Sequence, residues 1–195
     1  MLIEDIPPDR WTVELRDQAP VYVWAWGYAH QGDHYSLWNL VQLETGEQAP
    51  DGAVVSVSTP GYPSQIQLSV ARFRVDQVRL EEGDEDWPAI YNGEPPDDAP
   101  DLTIRVLSGP PSRWTVELAT GIMVDVWAER FTRVDGQYIF TNRVELLGEA
   151  TWSPDMVVIG DASTRDSPKE LAVAAFREDQ VRACSEKRPP AVETP

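Results

Sequence analysis

The chain is poor in the residues that most catalytic and metal chemistry uses. A single cysteine, Cys184, in 195 residues leaves no intrachain disulfide framework and no cysteine cluster for zinc. Only two histidines, His30 and His34, are present to act as acid–base groups or metal ligands. Positive charge is scarce: 16 Lys and Arg stand against 33 Asp and Glu, a net charge of −17. A basic track along a nucleic-acid backbone is excluded over the chain as a whole, so no direct nucleic-acid partner is expected. No apolar run approaches the 18 residues of a membrane span. The opening MLIEDIPPDR is acidic where a signal peptide would be basic. The expectation is a cytoplasmic protein with no membrane contact. What the chain does have is apolar content, 42% of residues, enough to build a core.

Internal similarity dominates the remaining pattern. PPDRWTVEL at Pro7 to Leu15 returns as PPSRWTVEL at Pro110 to Leu118, and VYVWA at Val21 to Ala25 returns as VDVWA at Val124 to Ala128. VARFRVDQVR at Val70 to Arg79 returns as VAAFREDQVR at Val173 to Arg182, always with an offset of 103 and no gap. Over Pro7 to Arg79, 28 of 73 positions are identical, which marks a tandem duplication. Charge suggests the boundaries. Residues 1–80 carry net −5, residues 81–103 carry −9 with no base, residues 104–184 carry −3, and 185–195 are neutral. The reading is a first β-barrel repeat over 1–80, an acidic Pro/Gly-rich linker over 81–103, a second repeat over 104–184, and a flexible tail over 185–195. Trp87, Ile90 and Tyr91 interrupt the linker and offer a way to pin its middle.

Within each repeat the apolar period is 2 rather than 3.6. Trp11, Val13 and Leu15 share one face, as do Trp114, Val116 and Leu118. Val21, Val23 and Ala25 continue the pattern, followed by Tyr35, Leu37, Val41 and Leu43. Gly121 and Gly136 sit in turn sequences that call for positive φ. Ser167 to Phe176 has helix-forming composition, but its partner Ser64 to Phe73 is strand-like, so both are read as strand. AFREDQVR reads as a strand, a 3₁₀ turn and a last strand. The fold class is therefore all-β, a tandem duplication of a small antiparallel, partly open barrel of five to six strands. In strand order alone, this plan is similar to SH3-like and Sm-like barrels; a small β-sandwich is the alternative. Neither plan carries a function with it.

The copies agree on the inner face and differ on the outer one. Tyr22, Trp24 and Trp26 correspond to Asp125, Trp127 and Glu129; Trp38 and Leu40 correspond to Thr141 and Arg143. If the second and third strands pair, Tyr22, Trp24, Trp26, Trp38 and Leu40 form a broad aromatic surface on the first repeat alone. Exposed aromatic patches mark interfaces, and Trp and Tyr are frequent anchors in them. The alternative is that this face packs within the chain.

Other chemistry is thin. His30, Asp33 and His34 are weak metal candidates, since their loop spacing does not make the ligands converge. Arg10, Arg74, Asp76, Arg79, Arg113, Arg177, Asp179 and Arg182 recur in both copies and read as a structural polar network, with Glu14 and Glu117 as available acceptors. No phosphate-binding glycine loop or nucleophile elbow is present. No catalytic residue, resident metal or cofactor is assigned. The leading function is a non-enzymatic protein–protein interaction or assembly module, with a protein partner or self-association through the aromatic face. One alternative is an acidic inhibitor or immunity-type protein that neutralises a basic partner through the linker. Another is a small-ligand-binding protein or enzyme built on the first repeat.

Overall fold

A computed structural model describes residues 2–3, 9–42, 54–56, 65–81, 84–92, 103–106, 111–147, 157–159 and 169–187. Leu43 and most of the tail lie outside them, as does the side chain of Leu146. The first repeat supplies β1 (Leu2–Ile3), β2 (Asp9–Val13), β3 (Val21–Ala25), β4 (Gly27–Gln31), β5 (His34–Gln42), β6 (Val54–Ser56) and β7 (Gln65–Arg74). Then come β8 (Leu80–Glu81), β9 (Asp84–Pro88) and β10 (Ile90–Asn92). The second repeat supplies β11 (Thr103–Val106), β12 (Ser112–Leu118), β13 (Met123–Ala128), β14 (Arg130–Val134) and β15 (Gln137–Leu147). It ends with β16 (Val157–Ile159), β17 (Lys169–Arg177) and β18 (Val181–Lys187). One 3₁₀ turn follows β7 at Val75–Gln77 and another follows β17 at Glu178–Gln180; the described residues contain no α-helix.

Residues shared by the copies explain the local geometry. β3 and β4 are two arms of one strand bent at Trp26, and β13 and β14 are bent likewise at Glu129. At each bend the backbone N–H donates twice. Trp26 N–H bonds the Trp38 carbonyl and Asn39 Oδ1, both at 2.9 Å, and Glu129 N–H bonds the Thr141 carbonyl at 3.1 Å and Asn142 Oδ1 at 2.9 Å. Asn39 and Asn142 are buried to do this. The indole N–H of Trp11 donates to the Ala25 carbonyl, and that of Trp114 to the Ala128 carbonyl, each at 2.9 Å. Gly121 and Gly136 take φ of +85° and +74°, where a side chain is strained.

The strands do not close within their own repeats. The ladder runs β10-β2-β3-β17-β15-β11-β1-β5-β7-β13-β12-β18, with β4, β6, β14 and β16 as branches. The first-repeat hairpin β2–β3 thus pairs with β17 of the second repeat, and the second-repeat hairpin β12–β13 pairs with β7 of the first. The registers are equivalent: Val23 faces Ala174, and Val126 faces Ala71. Between β1 and β11, Leu2 faces Arg105, its own counterpart at an offset of 103. The molecule is a pseudo-two-fold body of two similar antiparallel sheets, neither closed into a complete barrel, each with strands from both repeats.

The inner faces merge into one core. Val13, Val21, Val23, Leu37 and Phe73 of the first repeat and Val116, Val124, Val126, Phe140 and Phe176 of the second belong to a single buried cluster. Connections of the two repeats also meet: Gln180 Nε2, in the second 3₁₀ turn, donates to the Ala19 carbonyl at 2.5 Å, and Gln18 of the β2–β3 loop donates to the Thr120 hydroxyl of the β12–β13 loop.

One difference concerns the acidic segment. In the second repeat β18 runs along β12 from Leu118 to Arg113. In the first, Val78 bridges Leu15, the β8–β9 hairpin intervenes, and β10 then resumes the ladder with Ile90 opposite Val13. Ile90 is buried and Ala89 accepts the Glu14 N–H at 3.0 Å. Residues 90–92 are therefore strand and not connector, because they complete an edge that the inserted hairpin interrupts. The Trp87 side chain lies outside the described residues.

Candidate functional site

The bend at Trp26 governs what the aromatic residues of the first repeat can form. β5 takes its ladder partners from β1, β4 and β7 while β3 takes its own from β2 and β17, so the five-residue surface expected on one hairpin is divided. Trp26 and Trp38 come together, with ring centroids 4.9 Å apart and planes inclined by 50°. Trp26 is 39% exposed and Trp38 is half-buried. Trp38 packs over Gly27, where an added Cβ would meet its ring at 3.2 Å. Tyr22 and Trp24 stand instead at the β3–β17 junction, where Arg10 lies 5.2 Å from the Tyr22 ring centroid and Trp24 is only 8% exposed. The backbone of Leu40 continues β5, and its side chain lies outside the described residues.

The second repeat shows what the same positions do without aromatic rings. Glu129, in place of Trp26, accepts the Arg143 N–H at 3.0 Å. Thr141, in place of Trp38, donates to Glu170 at 3.1 Å, and Glu170 is paired with Arg130. Internal polar bonds occupy one copy and a partly exposed tryptophan pair the other.

A second aromatic set recurs in both repeats. Trp11, Tyr28 and Tyr35 make edge-on contacts at 5.4 and 6.3 Å, and His30 lies over Tyr35 at 5.1 Å. Trp114, Phe131 and Tyr138 repeat this, with Arg133 4.5 Å from the Tyr138 ring centroid. The metal candidates accordingly point to different partners. His30 is on the ring, while His34 Nδ1 lies 2.6 Å from Asp33 Oδ1, a bond that holds the Asp33 carboxyl below its ordinary value. Among the described residues there is no group of three metal-ligating side chains.

The recurring polar residues fall into three separate sets. Arg74 grips Asp76 with two bonds of 3.1 and 3.0 Å, and Arg177 grips Asp179 at 3.0 and 2.6 Å, each pinning a 3₁₀ turn. Arg79 pairs with Glu14, and Arg182 with Glu117 at 3.0 Å, across the last strand of each repeat. Arg10 and Arg113 belong to the inter-repeat junctions: Arg113 bonds Asp125 at 2.5 Å, whereas Arg10 has Tyr22 in that place. Cys184 is partly buried on β18, and burial pushes its thiol above the ordinary value. The described residues include no helix long and apolar enough to cross a membrane.

Sequence reasoning did not single out Asn39 and Asn142, or the bonds of Trp11 and Trp114. Their identity in both copies, at positions that break the apolar alternation, was the available signal. No protein family, curated protein or solved structure matches the chain.

Proposed function

We propose that this protein is a non-enzymatic interaction or assembly module whose contact surface on the first repeat is centred on Trp26 and Trp38. The observation that carries this reading is the copy-specific tryptophan pair itself. Both repeats share the bend and its asparagine, yet only one spends these two positions on internal hydrogen bonds. The fold therefore does not need aromatic rings there. A tryptophan held by a stacked neighbour loses little conformational freedom on binding, which favours it as an anchor in a protein contact.

The second repeat supplies the test. The double change Trp26→Glu, Trp38→Thr installs its residues in the first repeat. Light scattering gives the mass of the untagged protein, and affinity capture at low and high salt followed by mass spectrometry identifies any companion. A reproducible partner, or self-association, that the double variant loses while its melting temperature holds supports the reading. Unchanged mass and unchanged companions in a folded double variant refute it.

A further inference from the structure

The two inter-repeat junctions are built on the same ladder but carry different outer residues. At the β3–β17 junction Tyr22 faces Ala175; at the β13–β7 junction Asp125 faces Arg72. The Tyr22–Ala175 pair, with Arg10 over the tyrosine ring, joins one junction without a charged pair across the ladder, so the Asp125–Arg72 pair is not required for the strands to join. The β13–β7 junction nevertheless gathers two guanidinium groups around one ring. Arg72 from β7 lies 5.3 Å and Arg113 from β12 lies 5.5 Å from the ring centroid of Trp127, which is 1% exposed.

One carboxylate serves both cations, and it is largely committed. Asp125 accepts from Arg113 at 2.5 Å and from the Thr115 hydroxyl at 3.0 Å. Among the described residues no hydrogen bond or close ion pair is made by the Arg72 side chain, which lies over the indole face and feels Asp125 only at longer range. Arg113 Nε and the Trp127 indole N–H are also unpartnered there. Trp24 has an unpartnered indole N–H too, so the arginines distinguish this junction. Burial, then the Arg113 charge, push Arg72 below the ordinary guanidinium value, and Asp125 does not fully offset them. Donors unused among the described residues, and two guanidinium groups beside one carboxylate, are what an oxyanion satisfies.

We propose that the β12–β13–β7 junction is an oxyanion site in which Arg72, supported by Arg113, receives a phosphate or carboxylate group beside Trp127. The site is independent of the Trp26–Trp38 surface. The experiment is nitrogen-edited NMR of the arginine Nε–H and indole N–H groups. Inorganic phosphate and acetate are titrated separately, with sodium chloride adjusted to constant ionic strength. Saturable shifts of the Arg72 and Trp127 signals are expected for at least one anion. They should weaken at least tenfold in Arg72→Ala and persist in Arg74→Ala, whose guanidinium is already taken by Asp76. Tighter phosphate binding identifies a phosphoryl ligand, and tighter acetate binding a carboxylate ligand. Arg72→Ala folds on the precedent of Ala175; Arg72→Gln keeps the length of the side chain as a second variant. Linear, unsaturable shifts with both anions, or shifts unchanged in both Arg72 variants, overturn the proposal.

Discussion

Replacing Phe176 by alanine tests whether the repeats form one cooperative body. Phe176 is 1% exposed at the end of β17 and packs against Phe140 with centroids 5.7 Å apart. Truncating a fully buried phenylalanine costs about 3–5 kcal/mol, since transfer energy is lost and a cavity remains. For a cooperative unit of this size, that corresponds to a fall in melting temperature of roughly 6–20 °C. The counterpart Phe73→Ala has Leu37 where Phe176 meets Phe140, so it lacks the aromatic pair and should cost less by about 1 kcal/mol. Because both rings lie in one cluster shared by the repeats, differential scanning calorimetry should show a single transition for the parent and for each variant, moved as a whole. Two resolved transitions, with Phe176→Ala moving one and Phe73→Ala the other, would refute the shared core and return the molecule to two beads on a linker.

Trp114→Phe removes the indole bond to the Ala128 carbonyl and should lower unfolding free energy by about 1 kcal/mol beyond the loss of ring area, read from urea denaturation midpoints. The Tyr91 hydroxyl donates to Glu14 at 2.6 Å, and this bond holds its phenol above the ordinary value of 10.0. The bond needs the neutral phenol, so its stabilisation is fully present below pH 10 and is lost as pH rises through the raised folded value. Tyr91 should be resolved by NMR as a late-titrating tyrosine, and Glu14→Gln should bring it back towards its ordinary value. Cys184, raised by burial, should be alkylated at pH 8 more slowly than a free thiol of the same concentration, with denaturant removing the difference.

The duplication, the inner face and the turns were legible because they depend on identity and period. Val21, Val23 and Ala25 and their counterparts are fully buried, and Glu178–Gln180 forms the 3₁₀ turn that AFREDQVR suggested. The exchange of partners between repeats was not legible. When two copies share a strand pattern, β3 finds the same apolar neighbours in β17 as it would in β7, so periodicity carries no sign of the choice. The compensating pairs Tyr22–Ala175 and Asp125–Arg72 do carry one, but only once the register is known. The tryptophan surface was misassembled for a related reason. Register shifts at Leu37/Trp38 and Phe140/Thr141, together with the bend at Trp26, break the alternation that placed Tyr22 and Trp24 beside Trp38.

The shared ladder also sets a timetable for biosynthesis. The β2–β3 hairpin leaves the ribosome long before β17, and Val23 cannot meet Ala174 until the second repeat has been made through β17. At ordinary elongation rates this leaves the edge of β3 unpaired on the order of ten seconds. During that interval β17 from a neighbouring polysome would offer it the same register. Once the second repeat emerges, its β17 competes from the same chain, at the high effective concentration that a tether confers. A duplicated gene product thus turns what would be an encounter between two subunits into an intramolecular closure, and lets the two junctions evolve apart.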